Sequence, residues 1–497
     1  MSHPQRHADW QQMAADRQFE TRAFINDAFV EAASGDTFET INPATGKCLA
    51  RVASCDAPDA ELAVGHARAA FASGEWSRLA PGRRKKILLV LADLMETHRH
   101  ELALLDTLDM GKPIASSLGD VQGAIGCFRY HAESIDKLFG EVAPTGDDSL
   151  ALVLREPLGV VASIVPWNFP LMMTAWKVAP ALAAGNSVIL KPSEKSPLSA
   201  LRLAELARKA GIPSGVFQVL PGFGHTVGKA LALSMGVDCL SFTGSTQVGK
   251  QLMQYAGQSN LKKVYLECGG KSPNLVFADC KDLDKVARNA AEAIFHNQGE
   301  VCIAGSRLLV ENSIREAFVE KVLAAAETMQ PGDPLDPESF MGAMVDETQY
   351  RRVLDFIRQG VEEGASLRAG GEALKGDGWF IPPTVFDGVT PQMVIGREEI
   401  FGPVLAIFGF DTEEEAIAMA NDSDYGLAAG FWSQDIDRIM RVTRRLHSGQ
   451  VFVNNWAGGD QTVPFGGVKQ SGNGRDKSHH SLEEYSELKT VWMSLTP

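Results

Sequence analysis

The middle of the chain alternates short apolar runs with stretches of helical spacing. An apolar run over residues 160–165 ends at Pro166, and Pro170 opens a helical stretch that reaches Gly185. A second run, 188–190, stops at Lys191-Pro192. Ser196-Pro197 then reads as N-cap and first residue of a helix with Leu198, Leu201, Ala204 and Leu206 on its apolar side, ending near Gly211. Residues 216–220, 239–242 and 264–266 are the third, fourth and fifth runs, again separated by helical stretches. Strands alternating with helices of this length predict an α/β fold, a doubly wound parallel sheet with right-handed crossovers and both faces covered. Ligands on such sheets sit at the carboxyl ends of the strands, where Pro166-Trp167-Asn168, Lys191-Pro192-Ser193-Glu194 and Thr243-Gly244-Ser245 fall.

The flanks extend this picture. Residues 57–140 read as mainly helical, and the basic run Arg83-Arg84-Lys85-Lys86 reads as a solvated face. Beyond the sheet, Val286, Ala290, Ala293 and Ile294 recur at helical spacing, and strand–helix alternation continues to about residue 453. A second α/β domain follows, as a chain of 497 residues exceeds one hydrophobic core. Residues 141–158 and 471–497 read as extended arms, with edge strands at 151–154 and 490–494.

Composition narrows the class. Hydrophobic residues at 45% and charged residues at 22% suit a soluble globular protein, and a net charge of -15 argues against nucleic acid or an anionic membrane as main partner. Residues 1–22 hold no apolar run long enough for a secretion signal or a span, so a cytoplasmic protein with a mobile start is expected. The seven cysteines are odd in number, scattered and without a CxxC pair, which excludes a disulfide framework and a zinc site; no metal is expected.

Three residues carry candidate chemistry. Cys302, in Gly299-Glu300-Val301-Cys302-Ile303, would alone read as packing, but it follows a helix ending in a glycine turn, where free backbone amides stabilise a thiolate without a histidine. Glu267 ends an apolar strand before Gly269-Gly270, aimed at the crevice, and reads either as a loop-end cap or as a general base for water. Asn168 follows another strand end, where its side-chain amide can donate to a developing oxyanion.

Together, Pro166-Trp167-Asn168-Phe169-Pro170, Lys191-Pro192-Ser193-Glu194, Phe242-Thr243-Gly244-Ser245, Glu267-Cys268-Gly269-Gly270-Lys271, Gly299-Glu300-Val301-Cys302, Glu399-Ile400-Phe401-Gly402-Pro403 and Pro464-Phe465-Gly466-Gly467 resemble the signatures of the aldehyde dehydrogenase superfamily, in order from about residue 25 to the end. The resemblance implies an NAD-binding domain at 1–140 and 159–270, a catalytic domain at 271–470 and oligomerisation arms at 141–158 and 471–497. It implies that Cys302 adds to the aldehyde carbon, that the Asn168 side chain and the Cys302 amide hold the oxyanion, and that Glu267 activates water against the thioester. Cofactor contacts fall on Pro166, Trp167, Lys191, Ser193, Glu194, Gly224, Gly228, Phe242, Gly244, Ser245, Glu399 and Phe401, with Gln349 reaching the adenosine side. Glu194 favours NAD over NADP, because a carboxylate accepts from a free 2′-hydroxyl and repels a 2′-phosphate; NADP stays possible. Gly222, Gly224 and Gly228 miss the GxGxxG spacing, in keeping with a family that uses fewer glycine-loop contacts. A homotetramer built as a dimer of dimers is implied by arms that pair between subunits.

The stretch Asn454-Asn455-Trp456-Ala457-Gly458-Gly459-Asp460 and the residues after it resemble the branch acting on γ-glutamyl-γ-aminobutyraldehyde, 4-guanidinobutyraldehyde and 4-aminobutyraldehyde. Phe169, Trp176, Val301, Ile303, Trp456 and Phe465 match tunnel positions, and Asp460 and Asp109 are candidate partners for a cationic tail, which needs a carboxylate or an aromatic face once desolvated. The competing readings are a broad aliphatic aldehyde dehydrogenase, a coenzyme A-acylating enzyme, a plain cysteine hydrolase and a catalytically silent structural protein. Glu267 argues against acylation, Lys191, Glu194 and Glu399 argue against a hydrolase, and Cys302 with Asn168 argues against silence.

Overall fold

The computed structural model describes residues 6–495; the first five and last two, assigned above to the mobile start and the C-terminal arm, lie outside the described residues. The five apolar runs are the parallel strands Val160–Ile164, Ser187–Lys191, Phe217–Val219, Cys239–Thr243 and Lys263–Glu267. In space their order is fifth, fourth, first, second, third, and the antiparallel hairpin Ala23–Ile25 and Ala28–Val30 completes the sheet beyond the third. The chain therefore winds outward in opposite directions from the adjoining first and fourth strands, whose following loops part to open a crevice. The first, second and fourth strands are buried along their whole length, which is why they read as unbroken apolar runs.

The helix over Pro170–Ala184 starts with its proline at the first turn and ends on Gly185 at φ 102°, as its sequence dictates. The next helix departs from expectation. It begins at Leu198, Ser196 does not cap it, and Asp109 from the helix Arg99–Met110 accepts the Leu198 N–H at 2.9 Å. The expected mobile start is also corrected, since His7–Ala15 form a helix anchored by Trp10, only 1% exposed. One indole in a polar stretch gives no periodicity, yet burying it contributes about 2 kcal/mol or more.

A second seven-stranded sheet is parallel over Pro273–Val276, Arg307–Glu311, Thr384–Asp387, Val404–Phe410, Ala428–Trp432 and Gln450–Val453, with Ser366–Ala369 antiparallel at one edge. A three-stranded antiparallel sheet joins Ser486–Ser494, Ser149–Pro157 and Glu141–Ala143. Residues 471–484 do not extend away with the last strand. They return to the crevice, where Ser471 O accepts the Cys268 N–H at 2.8 Å, Gly472 pairs with Glu267, and the helix Ser478–Glu484 packs on Pro170–Ala184. Among the described residues no helix is long and apolar enough to cross a membrane, and no group of side chains is placed to hold a metal.

Candidate active site

A cavity of about 250 Å³ opens at the carboxyl end of the first sheet. It gathers Pro166, Trp167, Asn168, Phe169, Trp176, Gly244, Ser245, Val301, Cys302, Ile303, Gln349, Glu399, Phe401 and Phe465 from distant parts of the sequence. One wall is the start of the helix Pro170–Ala184, where Phe169, Met172, Met173 and Trp176 fall three and four residues apart on one face. The two methionines were missed above, although helical spacing from the aromatics points to them. Trp176 packs on Phe465 with ring centres 4.9 Å apart.

Cys302 sits on a loop shaped by strain and by side-chain amides. After the helix Leu283–Phe295, Asn297, Gln298 and Gly299 take φ of 51°, 56° and 72°. Two non-glycine residues in this region cost about 1–3 kcal/mol each. Their own side chains offset the cost. Asn297 Nδ2 donates to the carbonyls of Asn168 and Glu300, and Gln298 donates to Ala343 O while accepting from Gly342 N. A Cβ at Gly299 would lie 2.2 Å from Gly402 O, so only glycine fits. Asn297, Gln298 and Glu300 act through position, which no residue-type argument reveals. Burial pushes the Cys302 thiol up to about 12, with Glu399 and Glu267 adding to the rise and the Ile303 and Cys302 amides opposing it. The amides act in the expected sense, but burial outweighs them.

Asn168 donates through Nδ2 to Glu300 O at 2.9 Å. One of its two amide protons is committed there, and the other remains for the cavity. Glu267 is 2% exposed and lies behind the cavity wall, neither oxygen having a hydrogen-bond partner. Its carboxylate faces a buried cluster in which Lys177 Nζ bonds both Asp476 oxygens at 2.9 and 2.8 Å. Burial and then the Asp476 charge raise the Glu267 carboxyl well above the ordinary range, against Lys177 and Arg475. A Cβ at Gly466 would lie 2.7 Å from Glu267 Oε1, so this glycine makes the room. Lys177 and Asp476, 299 residues apart, escaped sequence reading because only the fold pairs them.

The remaining cavity rim fits a dinucleotide. Ser245 caps the helix Thr246–Gln258, its hydroxyl accepting from Val248 N at 3.3 Å, and the Thr243 Oγ1 beside it is buried without a partner. Free amides at such a helix start favour a pyrophosphate. Lys191 and Ser193 are buried at the second strand end, and Lys191 Nζ reaches Glu194 at 3.2 Å. Glu399 accepts from Gly270 N at 2.9 Å, and burial raises its carboxyl to about 7.

Several expected contact residues have other partners or lie outside this cavity. The Phe242 ring is core, packed beneath Gly244, where a Cβ would fall 2.5 Å from it. Gly224 and Gly228 bound a single π-turn outside the cavity lining. Gln349 donates to the Ile400 and Phe401 carbonyls at 3.1 and 2.7 Å and so holds Phe401 at φ 58°, edge-on to Trp167. Asp109 is 1% exposed and occupied by the Thr40 hydroxyl and the Leu198 amide, where burial raises it to about 8. Asp460 is exposed outside the cavity and bound to Thr462 N and Oγ1 at 2.8 and 2.6 Å. Trp456 lines a neighbouring cavity.

A cavity cysteine, a side-chain amide and a buried carboxylate at the crevice of an α/β molecule with two seven-stranded sheets define a class. Residues 29–491 match the model of the aldehyde dehydrogenase family, and the chain belongs to that family, whose members oxidise aldehydes with NAD(P). It is 54% identical over 489 residues to the NADP/NAD-dependent aldehyde dehydrogenase PuuC of Escherichia coli, covering 98% of both chains. The indole-3-acetaldehyde dehydrogenase AldA of P. syringae, solved as a cysteine-to-alanine variant with NAD+ and IAA, superimposes with a TM-score of 0.98 at 57% identity, covering 99% of this chain and 100% of that one. The γ-glutamyl-γ-aminobutyraldehyde dehydrogenase of Burkholderia cenocepacia gives 0.97 at 54% identity, with 99% and 100% covered.

Proposed function

We propose that this enzyme oxidises an aldehyde bearing an ω-amino, guanidino or γ-glutamylamino group to its carboxylic acid, through a thiohemiacetal and a thioester on Cys302. The observation that carries the mechanism is the meeting of Cys302 and Asn168 in one cavity, with the Glu267 carboxylate stored just behind its wall. The Cys302 thiol gives its proton to water in the cavity as Sγ bonds to the carbonyl carbon and the C=O π bond opens, and the resulting oxyanion accepts hydrogen bonds from the second Asn168 amide N–H and the Cys302 N–H. Lys191, Glu194, Ser245 and Glu399 hold the nicotinamide cofactor, which when bound supplies the two-electron oxidation. Glu267 then turns to the cavity, takes a proton from water, and the resulting attack breaks the carbon–sulfur bond. Asp476 and Lys177 receive that carboxyl when it returns protonated.

The substrate class is supported by the relative from Burkholderia cenocepacia, named for γ-glutamyl-γ-aminobutyraldehyde. The apolar wall of Met172, Met173 and Trp176 favours a second reading, a broad aliphatic range. A panel of ω-amino, ω-guanidino, γ-glutamylamido and plain aliphatic aldehydes, compared by kcat/KM without coenzyme A, decides between them. Higher values for the first three support the proposal, and equal values favour the broad range.

NAD is the expected preferred cofactor, by kcat/KM. Glu194→Gln removes the carboxylate that pairs with Lys191 and that we assign to the ribose 2′-hydroxyl, so the preference over NADP should narrow roughly tenfold, the worth of one charged hydrogen bond. A native preference for NADP of tenfold or more would overturn this assignment. The homotetramer is supported by the exposed edges of the three-stranded sheet, where Val142, Leu488 and Trp492 face outward at 70%, 58% and 64% exposure. A cytoplasmic location is supported by seven cysteines that are all unpaired.

A further inference from the structure

Val301 and Ile303, flanking the nucleophile, each line two cavities. Beyond them lies a second chamber of about 260 Å³, whose lining includes Asn289, Glu292, His296, Phe340 and Trp456. The Trp456 ring is set by two glycines: a Cβ at Gly430 would fall 2.7 Å from it and one at Gly305 3.2 Å, while Phe452 packs alongside at 5.6 Å. The indole is therefore a fixed wall. Glu292 faces the same chamber, and its ion pair is to Arg288 Nε at 3.1 Å, with both side chains substantially exposed. Such a pair is weak and exchanges readily.

The other charges near the chamber leave that carboxylate available. Lys112 is committed to Asp120 and lies 3.9 Å from the centre of the Phe169 ring. The His296 ring is held below its ordinary value, by desolvation first and by Lys112, against Asp120 and Glu292. A carboxylate beside a fixed aromatic face is the chemistry that selects an organic cation.

We propose that the second chamber is a distal subsite for an ammonium or guanidinium group carried by the aldehyde, held between Glu292 and Trp456 while the aldehyde end reaches Cys302 past Val301 and Ile303. This rests on the substrate reading above and replaces Asp109 and Asp460 with a different anion. It also assigns Arg288 the part of a competitor for the same carboxylate.

The test uses two charge changes with opposite expected signs. For an ω-aminoaldehyde, Glu292→Gln should lower kcat/KM about tenfold, chiefly through KM, and Arg288→Gln should raise it severalfold. A neutral aldehyde of matched length should change less than twofold in either variant. Native enzyme that does not favour the aminoaldehyde over the neutral one overturns both the substrate reading and the subsite. A native preference that neither variant alters, or that both alter in the same direction, overturns the subsite alone.

Discussion

Cys302→Ala is expected to abolish aldehyde-dependent NADH formation, a loss of about four orders of magnitude or more, while the protein folds and still binds NAD. The Cys302 side chain is partly open to the cavity, so its truncation leaves the core undisturbed. No neighbouring thiol substitutes for it. Cys268 contributes to the same cavity, yet its Sγ lies against the helix at Gly249, where an added Cβ would stand 3.0 Å away, and burial raises its thiol to about 12. Steady-state NADH absorbance measures the loss, with circular dichroism and nucleotide titration as controls. Turnover within tenfold of the native enzyme would overturn the assignment.

Glu267→Gln separates the two halves of the reaction. Hydride departure needs no base at this position, whereas hydrolysis does, and losing a general base slows its step by about 10²–10⁴-fold. Rapid mixing should show a burst approaching one NADH per active site, then slow turnover with an acyl group retained on Cys302. The pH dependence has a defined sign. The Glu267 carboxyl is raised by burial and by Asp476, and only its ionised form accepts a proton from water. Hydrolysis should accordingly be slow below that raised value and quicken as pH climbs through it, a limb that the glutamine variant lacks. Absence of both the burst and any loss of that limb would exclude Glu267 as the base.

The five parallel strands of the first sheet were legible because four of them are buried along their whole length and prolines and glycines bound them, so pattern alone located all five within two residues at each end. Cys302, Asn168 and the aromatic wall were legible because their residue types carry chemistry and their motifs keep order. Long-range pairings were not. Asp109 read as a candidate partner for a cationic tail, but it is an interior cap for a helix that starts at Leu198. Gln349 looked like a ligand contact, and its amide holds Phe401 in place. Lys177 and Asp476 are unremarkable in sequence and meet only because residues 471–484 fold back on the helix Pro170–Ala184. In each case a polar group found its partner in tertiary structure, where periodicity and turn chemistry have no reach.

The loop before Cys302 is moored on both sides of the crevice. Asn297 ties it to Asn168, which follows the first strand of one sheet, while Gln298 and Glu300 tie it to Ala343 and Val345 in the other half. Neither half of the molecule, taken separately, supplies all the bonds that hold the Cys302 loop. Catalytic competence belongs to the seam between them, and a molecule whose halves drift apart would keep its strands and lose its chemistry before it lost its shape.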